Sequence, residues 1–164
     1  MGDKIVKSAQ AKAVIEKARK AGWTIATIES CTGGLIFAAL TDIAGSSVVM
    51  DRGFITYSNQ AKQDMAAVMP DTLGKYGAVS EQTAKEMAQG GLSASKCQIA
   101  LSVTGIAGPG GGSAEKPVGL VWMSVATCQG KLSTKAFHFD GTRAQIRQQA
   151  VLEGLTLLLD YLPD

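Results

Sequence analysis

Thr27-Ile28-Glu29-Ser30-Cys31-Thr32-Gly33-Gly34-Leu35 is the stretch on which the reading of this chain turns. An apolar, β-prone run over residues 23–28 leads into it and the apolar residues 35–40 follow, a pattern that predicts strand, tight turn and helix. Ser30 falls in the turn. Gly33 and Gly34 lack a Cβ, so the backbone there can curl tightly and a ligand can lie against it. The first N–H groups of the following helix have no partners within it and carry the positive end of its dipole, so they would attract a phosphate or a developing oxyanion. The alternative is an ordinary strand-to-helix turn capped by Ser30 or Thr32.

Upstream, Val6, Ala9, Ala13 and Val14 recur at helical spacing within residues 5–21, with Gly22 as the C-cap; this predicts an amphipathic covering helix. The near-continuous apolar character of residues 23–28 suits a strand buried on both faces. Downstream, the helix after Gly34 runs to about residue 42 or 43 and breaks at Gly45-Ser46-Ser47. Residues 48–57 read as one bent strand or two short ones, interrupted at Asp51-Arg52-Gly53. Ser58 can cap a helix over residues 59–68, which Pro70 ends, and residues 71–79 read as turns. Ser80 caps a further helix whose Ala84, Met87, Ala88, Gly91 and Leu92 share a face, with Glu81 and Lys85 paired outside. Residues 98–103 form a strand that ends in the glycine-rich segment 105–112, and residues 118–127 and 131–139 form two strands joined at Gln129-Gly130. A last helix runs from Gly141-Thr142-Arg143 to about residue 162, with Ile146, Ala150, Leu155, Leu158, Leu159 and Leu162 inward. The order predicts one α/β domain over residues 1–164: a three-layer α/β/α sandwich whose mixed sheet is parallel at its centre and carries an antiparallel hairpin at one edge.

Composition narrows the function classes. With 46% apolar residues, 5% aromatic residues and 19 glycines, the 164-residue chain suits close helix-on-sheet packing and can bury a core. A net charge of +2 with dispersed basic residues leaves no electrostatic footprint for nucleic acid or a membrane surface. Cys31, Cys97 and Cys128 are odd in number and lack metal-ligand spacing, so they read as free thiols in a reducing, cytoplasmic setting. No apolar span is long enough to cross a bilayer, and the N-terminus lacks a signal peptide's hydrophobic region.

Elimination shapes the chemistry. The single histidine, His138, sits between Phe137 and Phe139 in an expected strand and reads as structural. Without a histidine cluster, neither a zinc site nor a Ser-His-Asp triad is easily assembled, and no metal or cofactor is called for. Neither phosphate-loop nor dinucleotide glycine fingerprints occur. Ser30 lies in a turn comparable to a nucleophile elbow, though Gly-x-Ser-x-Gly is absent. If Ser30 attacks a substrate, its base is not histidine. The segment Tyr57-Ser58-Asn59-Gln60-Ala61-Lys62 offers Lys62 in the first turns of a helix, where the dipole disfavours an ammonium and Asn59 shares its face. Burial would lower its pKa further, toward the range of about 7 to 8 that suits a general base. Tyr57 could donate to the lysine or to a leaving group. Cys31 is a rival nucleophile, since a thiolate at a helix N-terminus is intrinsically stronger.

Glu29 to Gly34, Tyr57-Ser58-Asn59 with Lys62, and Val103-Thr104-Gly105-Ile106-Ala107-Gly108-Pro109, in this order, resemble the C-terminal domain of the CinA family of competence/damage-inducible proteins. Lys116-Pro117-Val118-Gly119 and Gly141-x-Arg143 match as well, so the resemblance spans about residues 6–162. It implies hydrolysis of the carboxamide of nicotinamide mononucleotide to nicotinate mononucleotide and ammonia, with the family's serine at Ser30 and its lysine at Lys62. Thr142 stands where the family commonly has an acidic residue. The pyrophosphatase activity of longer members, which carry an additional N-terminal domain, is not carried over.

On this reading Ser30, Lys62 and Tyr57 are catalytic, and N–H groups from Cys31, Thr32, Gly33 and Gly34 hold the oxyanion. Asn59, Thr104, Gly105, Ile106, Gly108 and Arg143 complete the substrate site, with Arg143 and the glycine segment on the phosphate. Whether the helix after Gly34 serves oxyanion or phosphate stays open. The partner is a small pyridine nucleotide, with assembly into a homo-oligomer left open. Two alternatives remain at this point: a nucleotide-binding module that breaks no bond, and an amidase or esterase for another small substrate.

Overall fold

The computed structural model describes residues 2–164, with side chains from residue 7 onward. In chain order the elements are α1 (Gly2–Ala21), β1 (Ile25–Glu29), α2 (Leu35–Thr41), β2 (Met50–Ile55), α3 (Asn59–Ala66), α4 (Pro70–Tyr76), α5 (Glu81–Ser95), β3 (Ile99–Gly105), β4 (Leu120–Thr127), β5 (Leu132–His138) and α6 (Arg143–Tyr161). The strands form one sheet in the order β2-β1-β3-β4-β5. β1 pairs in parallel with β2 and β3, whereas β4 and β5 are antiparallel. The mixed sheet with an edge hairpin is the architecture expected from the order of elements.

Side-chain alternation along the central strands supplies a core to each face. Ile25, Ile99, Leu101 and Val103 pack with Val14 and Ile15 of α1, Ile36 and Leu40 of α2, and Leu155 and Leu158 of α6. Ala26, Ile28 and Ala100, offset by one residue, pack instead with Ala66, Leu73 and Met87 from α3, α4 and α5. β1 is buried along its whole length, as its apolar run predicts. α2 leaves the end of β1 toward one layer and α3 leaves β2 toward the other. Their divergence opens a crevice at the carboxyl ends of the parallel strands, where ligands settle in such sheets.

Several local expectations change. α1 buries Ala11, Val14, Ile15 and Ala18, whereas Ala9 and Ala13 are exposed; Val6 lies outside the described side chains. Alanine is small enough to suit either face, so packing against α6 selects the stripe. α3 ends at Ala66, and Pro70 begins α4 rather than ending a helix. The missing proline N–H costs nothing at a first helical position. β2 is one strand, and its register with β1 shifts between Ile25 and Ala26 so that Asp51 is passed over. Leu92 and Leu159 are only partly buried. No helix among the described residues is long and apolar enough to cross a membrane.

α3 and α5 approach so closely that a Cβ on Gly90 would meet Ala66 O at 1.7 Å. Gly90→Ala is expected to cost about 2 to 3 kcal/mol. Gly74, inside α4 with nothing within 4 Å of its would-be Cβ, makes the opposite case. Gly74→Ala should gain about 0.5 to 1 kcal/mol. Urea unfolding midpoints of the two variants check both signs.

Candidate active site

Ser30 continues the β1 ladder by one bond, its N–H donating to Val103 O at 2.9 Å. Alternation sends the Glu29 side chain toward α2 and the Ser30 side chain toward α3. Ser58 caps α3 by accepting from Ala61 N, which starts the helix so that Lys62 lies in its first turn. Lys62 is 1% exposed and is the largest by volume of the fully buried side chains among the described residues. Its Nζ lies 3.0 Å from Ser30 Oγ and donates to Thr56 O at 2.7 Å. Desolvation lowers the pKa of this amine below the ordinary 10.5, opposed only by the Cys31 sulfur. A neutral amine has two N–H donors and one lone pair. With Thr56 O holding an N–H, the lone pair can accept the Ser30 proton.

Glu29, fully buried, occupies the N-terminus of α2. Its carboxyl oxygens accept from Gly34 N (2.9 Å), Ile36 N (3.1 Å) and Phe37 N (2.8 Å). These are donors that the sequence offers to an oxyanion or phosphate, so the α2 terminus is closed to both. Gly33 N donates to Ser30 O, leaving the N–H groups of Cys31 and Thr32 as those in the turn without an acceptor among the described residues. Gly33 and Gly34 still have work to do: φ values of +60° and +96° form the turn, a region that side-chain-bearing residues avoid.

A cleft of about 200 Å³ opens over the pair, lined by Ser30, Cys31, Tyr57, Lys62, Ala78, Val79, Thr104, Gly105, Ala107 and Arg143. The structure therefore brings together residues from three distant segments that the sequence singled out. Arg143 reaches the mouth from the start of α6, donating from Nη1 to Gly108 O (2.9 Å) and from Nη2 to Tyr57 Oη (3.1 Å). Tyr57 is 61% exposed, and its hydroxyl meets Arg143 rather than Lys62. Thr104 Oγ1 donates to Ala78 O at 2.8 Å, so its proton is not available to a substrate phosphate. Asn59 is exposed outside the lining, and Ile106 is engaged through its backbone with Leu120 and Gly119. Thr142 caps α6 through a reciprocal capping box with Gln145, which gives the non-acidic residue there a local role.

Cys31 is 6% exposed, and burial pushes its thiol up to about 11. Near neutral pH it is protonated, which removes the advantage a thiolate would have over Ser30. His138 is exposed on the edge strand rather than satisfied in the core, and it does not line the cleft. No group of three His, Cys, Asp or Glu side chains suited to a metal ion occurs among the described residues. A larger groove of about 470 Å³ beside Ala144, Gln148 and Leu152 is lined by no serine, cysteine or lysine.

Sequence reasoning missed two contributors. Glu29 was in the decisive stretch without a role, and only the fold brings its carboxyl back over the next helix. Arg147, one helical turn beyond Arg143, donates from Nε to Cys31 O and from Nη2 to Thr32 O, each at 3.0 Å. Its spacing from Arg143 was the available signal, because i and i+4 share a helix face.

Comparison with known proteins matches the model of the CinA C-terminal domain over residues 7–162. The chain is 54% identical over 138 residues to the nicotinamide-nucleotide amidohydrolase PncC of Enterobacter agglomerans, covering 84% of each. It is 50% identical over 137 residues to the protein of that name from Escherichia coli strain K12, covering 84% of this chain and 83% of the relative. With a CinA-like protein of Syntrophobacter fumaroxidans it shares 51% identity, covering 93% of this chain but 36% of that longer protein. Among solved structures, the competence/damage inducible protein CihA from Agrobacterium tumefaciens superposes with a TM-score of 0.93 at 48% identity, covering 94% of both chains. The shared fold, with matched residues running from the first helix to the last, means that the chain belongs to the CinA C-terminal domain family.

Proposed function

We propose that this chain hydrolyses the carboxamide of nicotinamide mononucleotide, giving nicotinate mononucleotide and ammonia, through a Ser30 acyl-enzyme with Lys62 as base and without a metal ion. The observation that carries the reading is the buried Lys62 Nζ at 3.0 Å from Ser30 Oγ. The names of the two amidohydrolase relatives support the substrate.

Lys62 takes the hydroxyl proton as Oγ attacks the carboxamide carbon. The carbonyl oxygen becomes an oxyanion facing the N–H groups of Cys31 and Thr32, a contact worth about 3 to 4 kcal/mol per well-aimed donor. Collapse breaks the C–N bond, and the Lys62 ammonium gives its proton to the departing ammonia. Water then attacks the ester, Lys62 takes its proton, and Ser30 recovers a proton as the carboxylate leaves. Arg143 has N–H groups left over after Gly108 and Tyr57, and these suit a phosphate at the mouth. Tyr57 then belongs to the phosphate end of the site instead of to proton transfer.

Ser30→Ala should lower ammonia release by at least about 10⁴-fold, while Cys31→Ala keeps most of it; the reverse would move the nucleophile to the thiol. Lys62→Met should cost about 10³-fold in kcat with the melting temperature retained. Because burial favours the neutral amine, kcat/KM should rise with pH through an inflection below 10.5. A rising limb at the ordinary lysine value would remove the base. Turnover should survive EDTA, and a loss restored by zinc would overturn the metal-free account.

Thiol reagents give an independent check of burial. At pH 8 they should modify exposed Cys128 and spare Cys31, whose labelling should rise with pH toward about 11. Peptide mapping reads the two sites separately.

A further inference from the structure

The turn that carries Ser30 is gripped from outside by one guanidinium. Arg147 is half-buried on α6 and forms no ion pair among the described residues. It spends two donors on backbone carbonyls instead, those of Cys31 and Thr32. Cys31 O belongs to the same peptide unit as the Thr32 N–H, which is one of the two N–H groups of the turn without an acceptor among the described residues. A cation on a carbonyl oxygen draws electron density through the amide and strengthens the N–H on its other end as a donor. Thr32 O belongs to the same unit as the Gly33 N–H, which closes the turn onto Ser30 O at 3.0 Å. The guanidinium passes where Gly33 has only hydrogen, 3.5 Å from the site of a would-be Cβ. A planar fork can hold two successive carbonyls at once, whereas an ammonium is a single point of charge.

We propose that Arg147 is a positioning residue of this reaction, fixing and polarising the Cys31–Thr32 peptide so that its N–H meets the developing oxyanion. The inference rests on the Ser30 acyl-enzyme of the preceding section. Glu29 holds the α2 side of the same turn through Gly34, Ile36 and Phe37, so the peptide at Ser30 is clamped from both ends. Arg147 touches no substrate and acts through the backbone alone.

The test compares wild type, Arg147→Met and Arg147→Lys in two assays. One is deamidation of nicotinamide mononucleotide. The other is acetylation of Ser30 by p-nitrophenyl acetate, followed by peptide mass mapping. In that step the Ser30 Oγ–acetyl bond forms, the aryl ester bond breaks, and p-nitrophenol leaves with the hydroxyl proton. Arg147→Met should lower kcat and the acetylation rate by about 30- to 100-fold, less than direct removal of an oxyanion donor, with KM changed by under about threefold. Arg147→Lys should fall between, and guanidinium ion at concentrations far below denaturing should raise the rate of Arg147→Met. If Arg147→Met fails to fold, Arg147→Lys carries the comparison. Folded variants with unchanged acetylation, or with raised KM at full kcat, overturn the proposal and leave the proposed function standing. Wild type that acetylates at Ser30 but leaves nicotinamide mononucleotide intact removes the substrate reading, and Arg147 is then judged on acetylation alone. An unreactive Ser30 in wild type overturns both.

Discussion

The structure depends on a lysine amine buried against a serine hydroxyl. Taking an ammonium out of water is costly, and among the described residues no carboxylate pairs with Lys62 to offset it. The surroundings instead favour the neutral amine, which is satisfied by a carbonyl on one side and a hydroxyl on the other. The desolvation that makes this residue expensive to bury is also what suits it to the role of base proposed above.

That contact follows from the end of one strand. Consecutive residues of β1 face opposite layers, so Glu29 and Ser30 part company there. Glu29 is absorbed by the amino end of α2, and its three N–H bonds fix where the turn goes. Ser30 enters the crevice on the α3 side, where the Ser58 cap has set the phase of Lys62. The parallel neighbours hold this arrangement, since Ser30 N pairs with Val103 O and Thr56 N with Glu29 O. A rigid scaffold thus supplies the precision, and Arg143, Tyr57 and Gly108 form the mouth.

The division of labour among backbone donors differs from the one a helix terminus suggests by itself. A free α2 N-terminus would bind any anion, substrate phosphate included. Filling it with Glu29 leaves the N–H groups of Cys31 and Thr32, beside Ser30, as those in the turn without an acceptor among the described residues. On the proposed reading, phosphate recognition then falls to Arg143, which lines the cleft and is held there by Gly108 and Tyr57.

The sequence by itself determined the alternation of elements, the mixed sheet and the Ser58 and Ser80 caps, and it singled out Ser30, Lys62 and Arg143, which line one cleft, because periodicity, capping chemistry and motif order are local properties of the chain. It misjudged Pro70, which suits a helix start as well as an end, and the buried stripe of α1, where alanines fit either face. Tertiary structure alone decided that Ser30 and Lys62 meet, that Glu29 folds back over α2, and that Arg147 reaches the carbonyls of the turn. Each of these joins segments whose separation along the chain carries no information about distance, and each is fixed only when the helices pack on the sheet.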